Sequence, residues 1–320
     1  MTCLTSYTRK LDAAQADTLE QHLHSHGYSF QSVPHARFAA RKEEVNVVFY
    51  ESGTLVVQGR GTRDFIEFVL EPEILKQAEL GYETVLKPEL LDPRIGVDES
   101  GKGDFFGPLC VAGVYVNAGI LKAWVNLGIR DSKNVGSDRK IAELAHEILK
   151  TPGCVASVVP IGNEAYNRLH AKLGTVNAML AWGHARVIEN LLERASQMQP
   201  PPLRAISDQF ATSTTVVTRA LMSRGKRIQL VQRHQAEEDL AVAGASILAR
   251  HEFVTRLKML EKQYGLKLPK GGAGAVDEAA REFVIRHGRE NLSKIAKLHF
   301  RNALRLTAPP NVAGKDPRVG

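Results

Sequence analysis

Five short apolar runs in the segment from Arg94 onward, most of them separated by stretches of helical spacing, leave few folds open to this chain. The runs are RIGVD (Arg94–Asp98), LCVAGVYV (Leu109–Val116), CVASVVPI (Cys154–Ile161), LRAISD (Leu203–Asp208) and RIQLVQ (Arg227–Gln232). Between them lie RKIAELAHEILK and VNAMLAWGHARVIENLLERA, which repeat apolar residues at helical intervals. Strands alternating with helices predict an α/β domain with helices on both faces of its sheet. Further helix is expected after Glu237, and QPPPL (Gln199–Leu203) is expected as a loop.

The preceding segment has a different rhythm. LDAAQADTLEQHLHSHG carries helical spacing and ends at Gly27, a residue suited to a helix C-terminus. Four short runs follow, YSFQSV, ARFAARK, VNVVFY and TLVVQG, with ESG at Glu51–Gly53 as the clearest hairpin turn. RDFIEFVLEPEIL then returns to a helical pattern. A small α+β unit over residues 1–80 is predicted, with a linker over 81–93, a second domain over 94–307 and a loose tail over 308–320.

Composition narrows the function classes. The chain has 320 residues, 43% of them hydrophobic and 24% charged, enough to bury a core. No apolar run reaches the length of a membrane span, and MTCLTSYTRK lacks the apolar stretch of a secretory signal. Three isolated cysteines form neither a disulfide framework nor a zinc ribbon, so a cytoplasmic protein is expected. The formal charge of +7 suits a polyanionic partner as readily as it suits an ordinary basic protein.

The chemistry concentrates in GVDESGKGD (Gly96–Asp104). Gly96 to Lys102 matches the phosphate-loop spacing G-x-x-x-x-G-K, but Gly103 stands where Ser or Thr should hold magnesium. Asp98 and Glu99 would also sit inside the loop and repel a phosphate. A nucleotide triphosphatase is therefore disfavoured. Adjacent carboxylates at a strand end suit a hard divalent cation such as Mg²⁺. Alternation along a strand sends Asp98 and Glu99 to opposite sides, so a bend at Ser100–Gly101 is expected to bring them together. Asp208 closes another strand-type run, and Glu237, Glu238 and Asp239 begin a helix. Each has an ordinary alternative, since helix N-termini favour acidic residues and Asp208 could serve as a turn or cap residue.

GVDESGKGDFFGPL resembles the signature of the type-two ribonuclease H superfamily, an Asp-Glu followed by a G-[RK]-G triplet. Lys102, Asp104 and the double Phe resemble ribonuclease HIII rather than ribonuclease HII. DSKNVGSDR, ISDQF, AEEDLAVAGASILAR, LPKGG and KLHFRN resemble later family segments in the same order. The resemblance implies a ribonuclease H-like domain, a mixed five-stranded sheet flanked by helices, preceded by a TBP-like substrate-binding domain. It further implies Mg²⁺- or Mn²⁺-dependent hydrolysis of the RNA strand of RNA–DNA hybrids, leaving 5′-phosphate and 3′-hydroxyl ends, by a monomer. The metal ligands carried over are Asp98, Glu99 and Asp208. Glu237 matches the fourth catalytic carboxylate best, with Asp239 as the alternative. Gly101, Lys102 and Gly103 fit close contact with the sugar–phosphate backbone, and Lys133 and Lys270 are candidate phosphate contacts. Ser246 reads as helix packing, His22, His24 and His26 as a helix end, and His299 has no assigned role. Arg37, Arg41, Lys42, Arg60 and Arg63 suggest a basic sheet face that grips nucleic acid without reading sequence. A non-catalytic nucleic-acid-binding module is the competing class; it would not need the acidic set.

Overall fold

The structure is a computed structural model, and it describes residues 4–77, 88–129, 135–209 and 215–307. Lys133, most of the expected linker and the expected tail lie outside these residues. The chain divides into two compact units, Met1–Leu91 and Asp92–Gly320.

The first unit contains β1 (Ser6–Lys10), α1 (Ala13–Ser25), β2 (Ser29–Phe30), β3 (Ala36–Lys42), β4 (Val45–Tyr50), β5 (Thr54–Gln58) and α2 (Thr62–Phe65). The sheet is wholly antiparallel in the order β1-β5-β4-β3-β2. It gains β1 over the four strands read from sequence. SYTRK is a polar edge strand that, among the described residues, pairs with β5 alone, so it lacks the apolar run that marks the others. A capping box starts α1: Asp12 accepts from Gln15 N at 2.8 Å and Gln15 Oε1 accepts from Asp12 N at 3.1 Å. Ala16, Leu19 and Leu23 of α1 pack on Phe38, Phe49, Leu55 and Val57. After α2 the chain widens into a π-helical segment, Ile66–Leu75, that accommodates Pro72 and adds Ile66, Leu70 and Ile74 to the same core.

The five basic residues expected on one sheet face, Arg37, Arg41, Lys42, Arg60 and Arg63, do not share it. Arg37 turns to α1, where it meets Asp17 and, at 3.1 Å, Glu20. Lys42 Nζ donates to the His26 carbonyl at 2.9 Å, Arg60 pairs with Glu44 and Arg63 with Glu67. Arg41 alternates with Ala40, a core residue, and so lies on the opposite face with Ser6, Thr8, Lys10 and Gln58.

The second unit follows the predicted α/β pattern. Its elements are β6 (Arg94–Ser100), β7 (Leu109–Val116), α3 (Ala118–Leu127), α4 (Asp138–Lys150), β8 (Val155–Ile161), α5 (Asn163–Leu173), α6 (Val176–Leu192), β9 (Arg204–Asp208), α7 (Thr215–Ala220), β10 (Gln229–Arg233), α8 (Leu240–Tyr264), α9 (Gly274–His287) and α10 (Arg301–Thr307). The sheet order is β10-β9-β6-β7-β8; β10, β9 and β6 are mutually parallel, while β7 runs antiparallel to β6 and β8. Among the described residues no helix is long and apolar enough to cross a membrane.

Small residues set the helices close to both faces. A Cβ on Gly96 would fall 2.1 Å from the Ala241 carbonyl carbon, so α8 lies almost directly on β6. On the other face a Cβ on Gly113 would meet Val187 at 2.3 Å and one on Gly183 would meet Val111 at 2.7 Å, which brings α6 equally near β7. The start of α8 differs from expectation. Glu237 and Glu238 lie in a short turn, Ala236–Glu238, and the helix begins at Leu240 with Asp239 as its N-cap, accepting from Ala241 N at 2.9 Å. The aspartate nearest the first exposed amides takes the cap and leaves the two glutamates in front of it.

Candidate active site

Parallel pairing brings the C-terminal ends of β6, β9 and β10 to one edge of the sheet, where open α/β sheets place their ligands. Val97 pairs with Ser207, so Asp98 and Asp208 follow side by side on neighbouring strands. Asp208 also pairs with Arg233, the last residue of β10. From there the chain turns through Gln235, in left-handed conformation, into the segment that carries Glu237. Ala236 N approaches Asp208 Oδ1 at 3.5 Å, linking that turn to the end of β9. Asp98, Asp208 and Glu237 are all half-buried.

Glu99 is placed differently from the sequence expectation. β6 stays paired with β7 through Ser100, and the turn comes only at Gly101, with φ +91°. No bend intervenes between the two carboxylates, so they keep strand alternation. Asp98 takes the α8 face, in step with Gly96, and Glu99 takes the α6 face. There Glu99 Oε2 meets Nε2 of His184 at 3.0 Å, and Nδ1 of the same ring meets Ser207 Oγ at 3.0 Å. His184 and Ser207 are fully buried. Sequence reasoning missed His184; the available signal was a single imidazole among the apolar residues on the buried side of α6.

Asp239 points elsewhere. Its carboxylate accepts from Arg94 Nε at 2.9 and 3.0 Å and lies 3.6 Å from Arg233 Nη2. It is thereby engaged as a helix cap and a buried counter-ion. Among the described residues no three His, Cys, Asp or Glu side chains converge tightly enough to enclose an ion. The carboxylates instead surround the strand ends from two sides.

The G-K-G triplet crosses the mouth of this edge. A Cβ on Gly101 would lie 2.3 Å from the Pro108 carbonyl oxygen, whereas Gly103 is exposed, has nothing within 4 Å of such an atom and keeps an ordinary φ. The fold therefore requires glycine at 101 and not at 103. Lys102 Nζ stands 3.8 Å from Glu99 Oε1. Lys270 forms a two-oxygen contact with Asp138, at 2.8 Å to each oxygen. Burial pushes the Asp138 carboxyl up, but the Lys270 bond and the Lys270, Arg250 and Lys258 charges pull it further down, below its ordinary range.

The loop after the triplet is sewn to two distant segments. Asp104 Oδ1 accepts from Gly271 N at 2.6 Å and Phe105 N donates to Gly271 O at 2.9 Å. Gly107 N donates to Ile295 O at 2.9 Å, and the Lys297 ammonium donates to the carbonyls of Asp104 and Gly107 at 2.7 and 2.6 Å. Lys297 has no exposed surface. Burial pulls its pKa down to about 7, against the opposing charge of Asp104. His299 stacks on His170, with ring centroids 4.4 Å apart, and burial lowers its pKa to about 4. His22 bonds to Glu73 and stacks on His26, and Ser246 is buried within α8.

Comparison with known proteins accounts for this arrangement. Residues 95–303 match the ribonuclease HII family, and residues 8–79 match a domain of unknown function. Ribonuclease HIII of Chlamydia muridarum is 42% identical over 298 residues, covering 93% of this chain and 95% of the relative. Ribonuclease HIII of Protochlamydia amoebophila is 42% identical over 301 residues, covering 94% and 96%. The crystal structure of Bst-RNase HIII in complex with Mn²⁺ matches with a TM-score of 0.64 and 29% identity, over 95% of this chain and 98% of that one. With motifs, sheet order and near full-length relatives in agreement, the chain belongs to the ribonuclease HIII group of the ribonuclease HII family and is a ribonuclease H enzyme.

Proposed function

We propose that the enzyme acts as a monomer and hydrolyses the RNA strand of RNA–DNA hybrids with divalent cations held by Asp98, Glu99 and Asp208 and with Glu237 as the fourth catalytic carboxylate, leaving 5′-phosphate and 3′-hydroxyl ends. The observation that carries this reading is the register of β6 and β9, which sets Asp98 beside Asp208 at the strand ends. The donor set fits the group. It offers carboxylate oxygens and no thiolate, which suits Mg²⁺ or Mn²⁺. When bound, such cations supply Lewis-acid stabilisation of the charge that builds on the attacking and departing oxygens.

The chain's own residues do the rest. The four carboxylates concentrate negative charge at one sheet edge, and Lys102 beside Glu99 offers a point charge to a backbone phosphate. At Gly103 the backbone is bare and exposed, so a sugar can approach it within hydrogen-bonding range. The 2′-hydroxyl is the group through which such an approach distinguishes RNA from DNA. Lys270 is available to a phosphate only in exchange for Asp138. Lys10 and Arg41, on the sheet face opposite α1, provide further phosphate contacts in the first unit; Lys133 is assigned the same role on its sequence motif alone.

The test is to incubate end-labelled RNA–DNA hybrid, RNA duplex and DNA duplex with Mg²⁺, Mn²⁺ or EDTA. Cleavage of the hybrid's RNA strand alone, dependent on metal, is expected. Asp98→Asn and Asp208→Asn should abolish cleavage while hybrid binding persists or tightens, because each removes a charge at constant volume. Cleavage that survives EDTA, or near-native turnover in either variant, overturns the reading.

A further inference from the structure

Glu99 is the member of the acidic set that strand alternation turns away from Asp98. Three observations bear on what holds it. A Cβ on Gly183 would collide with Val111, and Val111 is the register partner of Glu99. The missing side chain at 183 lets α6 settle on β7 at the level of Glu99 and delivers the next residue, His184, to hydrogen-bonding distance. Both ring nitrogens are then engaged, Nε2 with Glu99 and Nδ1 with Ser207, and no part of the ring reaches solvent. Finally, Ser207 Oγ donates to the carbonyl of Asp208, the carboxylate-bearing residue that ends β9, at 3.0 Å.

An ionised carboxylate only accepts hydrogen bonds, so the imidazole donates to it from Nε2, while Nδ1 meets the oxygen of the Ser207 hydroxyl, which itself donates to the Asp208 carbonyl. The chain Ser207–His184–Glu99 thus ties the end of β9 to the end of β6 through α6. With both nitrogens committed and the ring sealed, His184 has no route for passing a proton to solvent; its contribution is geometric. One Glu99 oxygen is held by the ring, which restricts rotation of the carboxyl, and the other lies 3.8 Å from Lys102 Nζ.

We propose that His184, oriented by Ser207, is a positioning residue that fixes the Glu99 carboxylate for divalent-cation binding. This rests on the acidic set being the metal site. Hydrogen-bonded groups behind metal ligands are worth about 10- to 100-fold in metal affinity.

The experiment measures Mn²⁺ binding by calorimetry and by the Mn²⁺-induced rise in melting temperature, alongside kcat and KM for hybrid. The variants are His184→Ala, His184→Gln, Ser207→Ala and Asp208→Asn. His184→Ala should weaken Mn²⁺ binding by about 10-fold or more, lower kcat at sub-saturating metal and leave KM for hybrid near native. Gln places an amide N–H where Nε2 was, so His184→Gln should recover most of the loss. Ser207→Ala should weaken Mn²⁺ binding less, and should add nothing in the His184→Ala background because both act through one contact. If His184→Ala does not fold, His184→Gln and Ser207→Ala decide. Native Mn²⁺ affinity in Ser207→Ala, or losses in His184→Ala and Ser207→Ala that simply add, overturns the proposal. Asp208→Asn separates the two levels. If it weakens Mn²⁺ binding while the His184 and Ser207 variants bind normally, only the positioning role fails; if it too binds normally, the metal site itself is misassigned.

Discussion

The Asp239 carboxylate grips the Arg94 guanidinium through Nε at 2.9 Å, with the two side chains only 7% and 3% exposed. That ion pair joins the first residue of β6 to the cap of α8. It also separates two acidic residues that sequence could only rank. Glu237→Gln should abolish turnover and leave the melting temperature near native. Asp239→Ala should instead cost about 3–5 kcal/mol, because it leaves a buried guanidinium without its counter-charge and also removes a helix cap. Chemical denaturation and single-turnover cleavage of both variants check the assignment. A stable, inactive Asp239→Ala beside an active Glu237→Gln would reverse it.

The two glycines of the triplet should fail in different ways. Gly101→Ala forces a side chain into the Pro108 carbonyl at a positive φ, so the protein should lose stability, by about 1–3 kcal/mol for the backbone strain alone. Gly103→Ala meets nothing in the folded chain and should melt like the native protein. Its kcat/KM for hybrid should nevertheless fall by about tenfold or more, since a 1 Å misplacement of substrate costs on the order of 100-fold. Thermal melts paired with steady-state kinetics discriminate the two, and native kinetics in Gly103→Ala would remove that residue from the substrate path.

Lys297 predicts a pH dependence of stability. Its pKa falls from the ordinary lysine value to about 7 on folding, so between pH 7 and that value the unfolded chain binds a proton the folded chain does not. Stability from this group therefore rises with pH across that range. Cys110 and Cys154, each pushed up to about 12 by burial, act in the opposite sense once the unfolded thiols begin to ionise near pH 9. The usable window is about pH 7 to 9. Denaturation free energy should climb there in the native protein and climb less in Lys297→Met. Equal slopes would show that Lys297 keeps its proton in the fold.

Removing residues before about Glu89 should divide binding from chemistry. The shortened enzyme keeps Asp98, Glu99, Asp208 and Glu237, so single-turnover cleavage of saturating hybrid should fall only modestly. Affinity should fall more, and each lost phosphate contact should flatten the slope of log affinity against log salt by roughly 0.7 to 0.9. Binding and cleavage measured at several salt concentrations for both lengths provide the check. Identical affinities and slopes would mean that Lys10 and Arg41 do not touch substrate.

The five strands of the second unit were legible in the sequence because each is an apolar run, and LCVAGVYV matches its strand from end to end. The carboxylates at the ends of β6 and β9 were legible for the same reason. Polar β1 was not, since nothing in SYTRK alternates strongly enough to announce a strand. The start of α8 was misplaced because three consecutive acids compete for one cap, and only the geometry of Ala241 N decides among them. His184 was invisible because its partners lie 85 residues before it and 23 after it in sequence. Lys297 was hidden in the same way, since the carbonyls that hold it are 190 and 193 residues away.

The anchoring of the Gly101–Pro108 loop by Lys297 and Ile295 also carries an order of assembly. On the ribosome the acidic pair is made early and its anchor nearly two hundred residues later. The bonds from Ile295 and Lys297 that fasten the loop are therefore among the last contacts of the acidic edge that a growing chain can make.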